Sequence, residues 1–289
     1  MLPIVINAKT MKEDVIQTLA QEVVTIGKSI GRKPKLVIVK ATDDKTCEAY
    51  IRNKVKSGAE VGVEVEVIDV SYGTAQDEME QMMKELSEDS EVDSIILQLP
   101  IFNYLDSEAL IELVPETKDA DCFSIGNLGR VLQGDSNGVT PCTPQGVLDI
   151  LNYHKVKIEG SRVTVIGRST HVGLSLSAML TQLGAVVTVT HSKTPDLKED
   201  MVNADIIISC VGKLDLIQSD WMKKGSVLLG VGINFIDGKQ YTDYNVDKMV
   251  NESSCSLVGD RVNCTGTATV LNLIKNTVKL CKRRNEIER

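Results

Sequence analysis

The chain has 289 residues, 42% of them hydrophobic and 25% charged, a globular balance long enough for two domains of ordinary size. Its net charge of −8 argues against nucleic acid or an anionic membrane as the main partner. No apolar run of about 18 residues occurs, so no transmembrane helix is expected. The start, Met1-Leu-Pro-Ile-Val-Ile, lacks the basic opening and long apolar stretch of a signal peptide. Seven scattered cysteines without a Cys-x-x-Cys spacing fit the reduced thiols of a cytoplasmic protein better than disulfides. The three histidines do not cluster, and no metal site is expected.

In chain order, Thr10-x-x-Glu13 reads as a capping box opening a helix to about residue 29. Lys35-Leu-Val-Ile-Val-Lys40 is a buried-type strand, followed by a helix over about 46–57 and a strand over 63–70. Met79, Met82, Met83 and Leu86 form a helical stripe that we read as core, because Met fills irregular apolar gaps. Residues 93–99 form a third strand. Largely apolar strands alternating with helices imply a parallel sheet covered on both faces. Thr143-Pro144 reads as a helix start, with Thr as cap and Pro at the first position. A second α/β series follows, with strands over 162–167, 185–190, 205–210 and 226–231, and a last helix over about 269–282. The boundary between the two series falls near residue 141.

In the first series, Tyr50 and Lys54 are four apart and share one face of a helix, with Cys47 on the same side. Ile51 and Val55 form a neighbouring apolar stripe expected to anchor that helix. Taken alone, the helix is better read as a solvated Lys packed on a surface Tyr. The third strand ends in Gln98-Leu-Pro100, at the carboxyl edge where open α/β sheets bind ligands. Asp121 lies in the turn-rich acidic segment 115–123. These residues together supply a ring, an amine, an amide and a carboxylate.

In the second series, Val163-Thr-Val-Ile-Gly167-Arg168-Ser169-Thr-His-Val-Gly173 joins a buried strand to a helix. Gly after a strand permits a tight turn and close approach to a phosphate, and the helix start behind it offers N–H groups. The usual second glycine of such turns is Ser169 here. No acid ends the next strand to hold ribose hydroxyls; the segment there is His191-Ser192-Lys193-Thr194. Arg168, Ser169, Ser192 and Lys193 suit a 2′-phosphate, which favours NADP over NAD.

These segments together resemble the bifunctional methylenetetrahydrofolate dehydrogenase/cyclohydrolase family over nearly the whole chain. The motifs are Tyr50-Ile-Arg-Asn-Lys54-Val-Lys56, Gln98-Leu-Pro100, Lys118-Asp-Ala-Asp121-Cys-Phe123, Pro141-Cys-Thr-Pro-Gln-Gly146, Gly167–Gly173, His191–Thr194 and Val231-Gly-Ile233-Asn234. The resemblance implies two three-layer α/β domains with a catalytic cleft between them. Residues 1–140 with 268–289 would bind folate, and 141–267 would be a Rossmann-type NADP-binding domain. It implies oxidation of 5,10-methylenetetrahydrofolate with NADP, and hydrolysis of the methenyl product to 10-formyltetrahydrofolate. Lys54 would be the catalytic amine, oriented by Gln98. Tyr50 would pack on the folate and Asp121 would accept from the pterin N–H groups. Gly167, Arg168, Ser169, Gly173, Ser192 and Ile233 would contact the cofactor. A cytoplasmic homodimer acting on tetrahydrofolate one-carbon derivatives is expected.

Several positions depart from the family pattern. Cys47 stands where Ser is usual, Cys122 where Gly is usual, Ser175 for Pro and Gly230 for Asp. The closing Pro-Gly-Gly-Val-Gly-Pro-Met-Thr survives only as Asn263-Cys-Thr-Gly-Thr-Ala-Thr269. Two other readings therefore stay open: a dehydrogenase without cyclohydrolase activity, and a non-catalytic folate- or nucleotide-binding paralogue.

Overall fold

A computed structural model describes residues 2–135, 137–236, 239–260 and 264–287. In chain order the elements are β1 Ile4–Ile6, α1 Lys9–Ile30, β2 Lys35–Lys40, α2 Lys45–Val61, β3 Glu64–Asp69, α3 Gln76–Glu88, β4 Ser94–Gln98, α4 Ser107–Glu112, α5 Ile125–Gln133 and α6 Cys142–Tyr153. They continue with β5 Arg162–Ile166, a π turn over Thr170–Leu174, α7 Ser175–Gln182, β6 Val186–Thr190, α8 Leu197–Met201, β7 Ile206–Ser209 and a 3-10 turn over Ser219–Trp221. The chain closes with β8 Val227–Gly230, β9 Asn234–Ile236, β10 Lys239–Tyr241, α9 Val246–Glu252, β11 Leu257–Gly259 and α10 Thr265–Arg284.

The chain divides into two compact units, one of residues 13–142 with 270–289 and the other of 1–12 with 143–269. This differs from the sequence expectation at the amino end. β1 pairs in parallel with β11, Val5 opposite Val258, so the first residues belong with the nucleotide-type unit. Helix starts also differ by a residue or more. Thr10 is already helical, and Asn7 Oδ1 instead accepts from Lys9 N at 2.9 Å. The helix at Thr143-Pro144 begins at Cys142, and the last helix begins at Thr265.

The first unit is built on a parallel sheet in the order β3-β2-β4. Alternation sorts its strands between two faces. Val37, Val39, Ile95 and Leu97 join Met79 and Met83 of α3 and Leu110 of α4 in one core, as the methionine stripe predicts. Leu36, Ile38 and Ile96 are equally buried. Ser94 Oγ meets Thr277 Oγ1 of α10 at 3.0 Å. The edge strand β3 carries Glu64 and Glu66, and Lys35 pairs with the latter at 2.7 Å. Charge on an exposed edge discourages strand addition.

The second unit has a six-stranded sheet in the order β1-β11-β8-β7-β5-β6 and a separate β9–β10 hairpin. Every pairing in the six-stranded sheet is parallel. From β5 the chain adds β6 on one side and β7, β8 and β11 on the other. That reversal is the place where doubly wound sheets bind ligands.

Asp93, wholly buried, ties the start of β4 to its surroundings. It accepts from Arg32 Nη1 and Nη2 at 2.6 and 2.9 Å and from Lys35 N at 2.8 Å, and Arg284 lies 3.7 Å away. Removing one partner of a buried pair leaves the other charge uncompensated. Asp93→Ala is therefore expected to lower unfolding free energy by about 3 kcal/mol in urea titration. A loss below about 1 kcal/mol, the range of a surface pair, contradicts this account.

Candidate functional site

α2 starts at Asp44, whose carboxylate accepts from Thr46 N at 2.8 Å, and ends at Gly62, whose φ of 90° suits the left-handed region. Its buried face is Cys47, Ile51, Lys54, Ser57, Gly58 and Val61. The stripe expected from sequence was partly misplaced: Ile51 is buried, but Val55 is 37% exposed. Lys54 instead lies on the anchoring face, 9% exposed. Gly58 makes that approach possible, since a Cβ there would sit 2.4 Å from Val65 Cγ2.

A buried amine needs an acceptor. Lys54 Nζ donates to Gln98 Oε1 at 2.9 Å. Gln98 Nε2 donates in turn to Leu99 O at 2.7 Å, which fixes which end of the amide faces the lysine. Cys47 Sγ lies 3.7 Å from the same carbonyl. Tyr50, one turn before Lys54, is half-buried. Burial, reinforced by Cys47, pushes its phenol up to about 12, so it stays protonated at neutral pH.

The three charged residues of Lys118-Asp-Ala-Asp121 have different fates. Lys118 is 3% exposed, and its Nζ donates to Leu86 O at 3.1 Å and Asp89 O at 2.5 Å, carbonyls at the end of α3. Asp119, also buried, accepts from Phe123 N, Ser124 N and Asn127 Nδ2 at 3.1, 2.9 and 3.0 Å. Asp119 thus holds the turn that carries Asp121, which is half-buried. Cys122 in that turn has φ 60°, the backbone region that explains why Gly is usual there.

Cys142, which the sequence reading passed over, brings these groups together. Its Sγ donates to Ala120 O at 3.2 Å. Asn276 Nδ2 donates to Ala120 O and Thr140 O, each at 2.8 Å. Burial pushes the Cys142 thiol well up, Asp121 pushes it the same way, and Lys54 opposes them. Lys54, Gln98, Asp121 and Cys142 therefore share one electrostatic neighbourhood. Only long-range packing reveals that, since Cys142 lies 88 positions after Lys54 in the sequence.

In the second unit, Gly167 follows β5 with φ 115°, and its N donates to Thr190 O at 2.8 Å. A Cβ at Gly167 would lie 3.0 Å from Cys210 O, and one at Gly173 would lie 2.1 Å from Gly167 O. Both positions therefore require glycine. Ser169 caps the turn, its Oγ accepting from Gly173 N at 3.4 Å and its carbonyl from Leu174 N at 3.0 Å. Arg168 and Ser169 are exposed beside it. The turn after β6 closes through Thr194 Oγ1, which accepts from His191 N at 3.0 Å. His191 Nδ1 accepts from Lys193 N at 3.1 Å, while Ser192 is exposed and no acid stands between 190 and 195. A guanidinium and two hydroxyls around a glycine-lined turn fit the phosphates of NADP. Ile233 is half-buried, its carbonyl against Gly212.

The departure at Gly230 has a packing cause. A Cβ there would sit 3.0 Å from Tyr244 Cε1 and 3.1 Å from Thr242 Cβ. Tyr244 fills that space, 2% exposed, its hydroxyl donating to Gly259 O at 2.9 Å. Asn263 of the altered closing loop lies outside the described residues. Thr265, which opens α10, donates through Oγ1 to Gly230 O at 2.7 Å.

The tetrahydrofolate dehydrogenase/cyclohydrolase catalytic-domain model matches residues 6–121, and the NAD(P)-binding-domain model of the same family matches residues 141–285. The chain is 33% identical over 284 residues to the bifunctional protein FolD of Oceanobacillus iheyensis, covering 98% of this chain and 99% of that one. The solved bifunctional FolD methylenetetrahydrofolate dehydrogenase/cyclohydrolase of Campylobacter jejuni gives a TM-score of 0.91 at 30% identity, covering 96% of this chain and 98% of that one. FolD of Trypanosoma brucei, solved with NADP cofactor and an inhibitor, gives 0.92 at 28% identity with 98% of each chain covered.

Gly173→Ala is expected to force the turn open, weakening NADP binding by about tenfold or more and costing about 1–3 kcal/mol of stability. Calorimetry and urea titration measure the two effects, and unchanged NADP affinity contradicts the turn's role. The Lys118 result carries its own pH signature. Burial, with Arg284 adding to it, lowers the Lys118 amine from 10.5 to about 8, and Asp89 opposes the shift. Between those values the unfolded chain holds a proton that the folded one has released, so stability rises with pH. Relative to Lys118→Met, the wild type should gain unfolding free energy from about pH 8 to about pH 10.5. A difference that is flat, or falls, across that range contradicts the assignment.

Proposed function

This chain belongs to the tetrahydrofolate dehydrogenase/cyclohydrolase family, and we infer that it oxidises 5,10-methylenetetrahydrofolate to 5,10-methenyltetrahydrofolate and hydrolyses that product to 10-formyltetrahydrofolate. The observation that carries the reading is the hydrogen bond from Lys54 Nζ to Gln98 Oε1 at the carboxyl edge of β4. NADP, when bound, supplies the acceptor for the hydride that leaves the folate methylene carbon. Gly167 and Gly173 would let backbone approach its phosphates, Arg168, Ser169 and Ser192 would bind its charge, and Ile233 would pack beside it.

Hydride transfer needs no protein base, only orientation of the reacting carbon. Asp121 accepts from the pterin N–H groups and Tyr50 packs its ring on the substrate, so these two supply that orientation. Hydrolysis is different. Water adds to the methenyl carbon and both of its protons leave the attacking oxygen, one reaching N5 as the C–N5 bond opens and the formyl C=O forms, the other released to solvent. Lys54 manages those transfers, and Gln98 keeps its Nζ aimed. The homodimer and the cytoplasmic setting belong to the same reading. The first rests on family likeness, and the second is supported by seven free cysteines.

Lys54→Ala tests the reading. Hydrolysis of methenyltetrahydrofolate, followed by its absorbance, is expected to fall by about a hundred- to ten-thousand-fold. NADP reduction with methylenetetrahydrofolate should persist, so the methenyl compound accumulates. Hydrolysis at the wild-type rate in the variant removes Lys54 from this role. A wild type that reduces no NADP ends the whole reading.

A further inference from the structure

The family motifs leave one buried carboxylate without a task. Asp243 follows the β9–β10 hairpin and is fully buried. Its Oδ2 accepts from Ser209 Oγ at 2.5 Å and Val211 N at 3.2 Å. Its Oδ1 accepts from Lys213 N at 2.7 Å and Asn234 Nδ2 at 3.5 Å. No ion pair to Asp243 occurs among the described residues, so hydrogen-bond donors alone satisfy it. The contact is close on a further side, since a Cβ at Gly232 would lie 2.3 Å from Oδ2.

These partners come from the end of β7 with the loop after it, and from the start of β9, where the loop after β8 ends. Residues 210–213 follow β7 and residues 231–234 follow β8. The loops are also joined directly, Val231 N and Gly232 N donating to Ser209 O at 2.7 and 3.1 Å. Cys210, at the start of the first loop, abuts Gly167 of the phosphate turn. Both loops lie at the carboxyl edge, on the β7–β8 side of the strand reversal at β5. Arg168, Ser169 and Ser192 lie on the β5–β6 side. A dinucleotide anchored by its 2′-phosphate on the β6 side must therefore extend its other half over the loops that Asp243 holds.

Resting on the NADP reading above, we propose that Asp243 is a positioning residue that sets the nicotinamide half of the NADP site by locking the loops after β7 and β8 together. It acts through the backbone of Val211 and Lys213 and through Ser209 and Asn234, and needs no contact with the cofactor. An amide at this position presents an NH2 group to an array of donors, so at least one loop must shift.

The test uses calorimetry with two ligands, NADP and adenosine 2′,5′-bisphosphate, which lacks the nicotinamide half. Asp243→Asn is expected to weaken NADP binding by about tenfold or more while bisphosphate binding stays within about twofold. Ser209→Ala, a milder change that leaves both backbone bonds, is expected to weaken NADP by about threefold with the same selectivity. It carries the test if Asp243→Asn does not fold. Equal weakening of both ligands in the folded variants, or none, overturns the positioning role. Wild-type protein that binds neither ligand overturns the NADP reading instead.

Discussion

A lysine can occupy the buried face of a helix only if its ammonium finds an acceptor there. Among the described residues the acceptor is an amide oxygen, Gln98 Oε1 at the end of β4. The Leu99 carbonyl ties the other end of that amide, so it cannot turn over without losing a bond. Breaking this chain of contacts would strand a charge among Cys47, Ile51 and Ser57, at a cost of several kcal/mol. The energetic demand of the amine and its chemical use therefore point the same way. The arrangement that tolerates Lys54 in the fold also aims its one reactive atom.

The same logic recurs with opposite charge. Asp119 and Asp243 are buried, take no cation among the described residues, and are satisfied by backbone N–H groups and neutral side chains of nearby loops. Loops at a sheet edge have N–H groups that no ladder pairs, and a carboxylate can accept several at once. Each carboxylate converts a loose segment into a fixed one. Asp119 does so for the turn carrying Asp121, and Asp243 for the loops after β7 and β8. Glycine does the complementary work. At 167, 173 and 232 the backbone or a carboxylate occupies the space that a side chain would fill.

How far the sequence could be read depended on whether a signal was local. Apolar runs such as 35–40 and the four-residue spacing of Tyr50 and Lys54 are local, and they place the strands and the site helix correctly. The short pieces were not legible. β1 and β11 have three residues each, too few for any period, and only their pairing makes β1 part of the second unit. The anchoring face of α2 was read as Ile51 and Val55 because apolar residues ordinarily anchor helices. A buried lysine with a partner 44 residues away breaks that rule. Asp119 and Asp243 were missed for the same reason, since an aspartate in a polar segment reads as solvated until its donors are known. Gly230 looked like a loss until Tyr244 was seen to fill the space.

The central claim is that Lys54 and Gln98 act as one unit. A double-mutant cycle on single-turnover hydrolysis of methenyltetrahydrofolate, combining Lys54→Met with Gln98→Leu, tests it most directly. The account predicts strong non-additivity, the double variant being no slower than Lys54→Met alone to within about twofold, because either change disables the same amine. Effects that multiply would mean that the two residues contribute independently, and would contradict it.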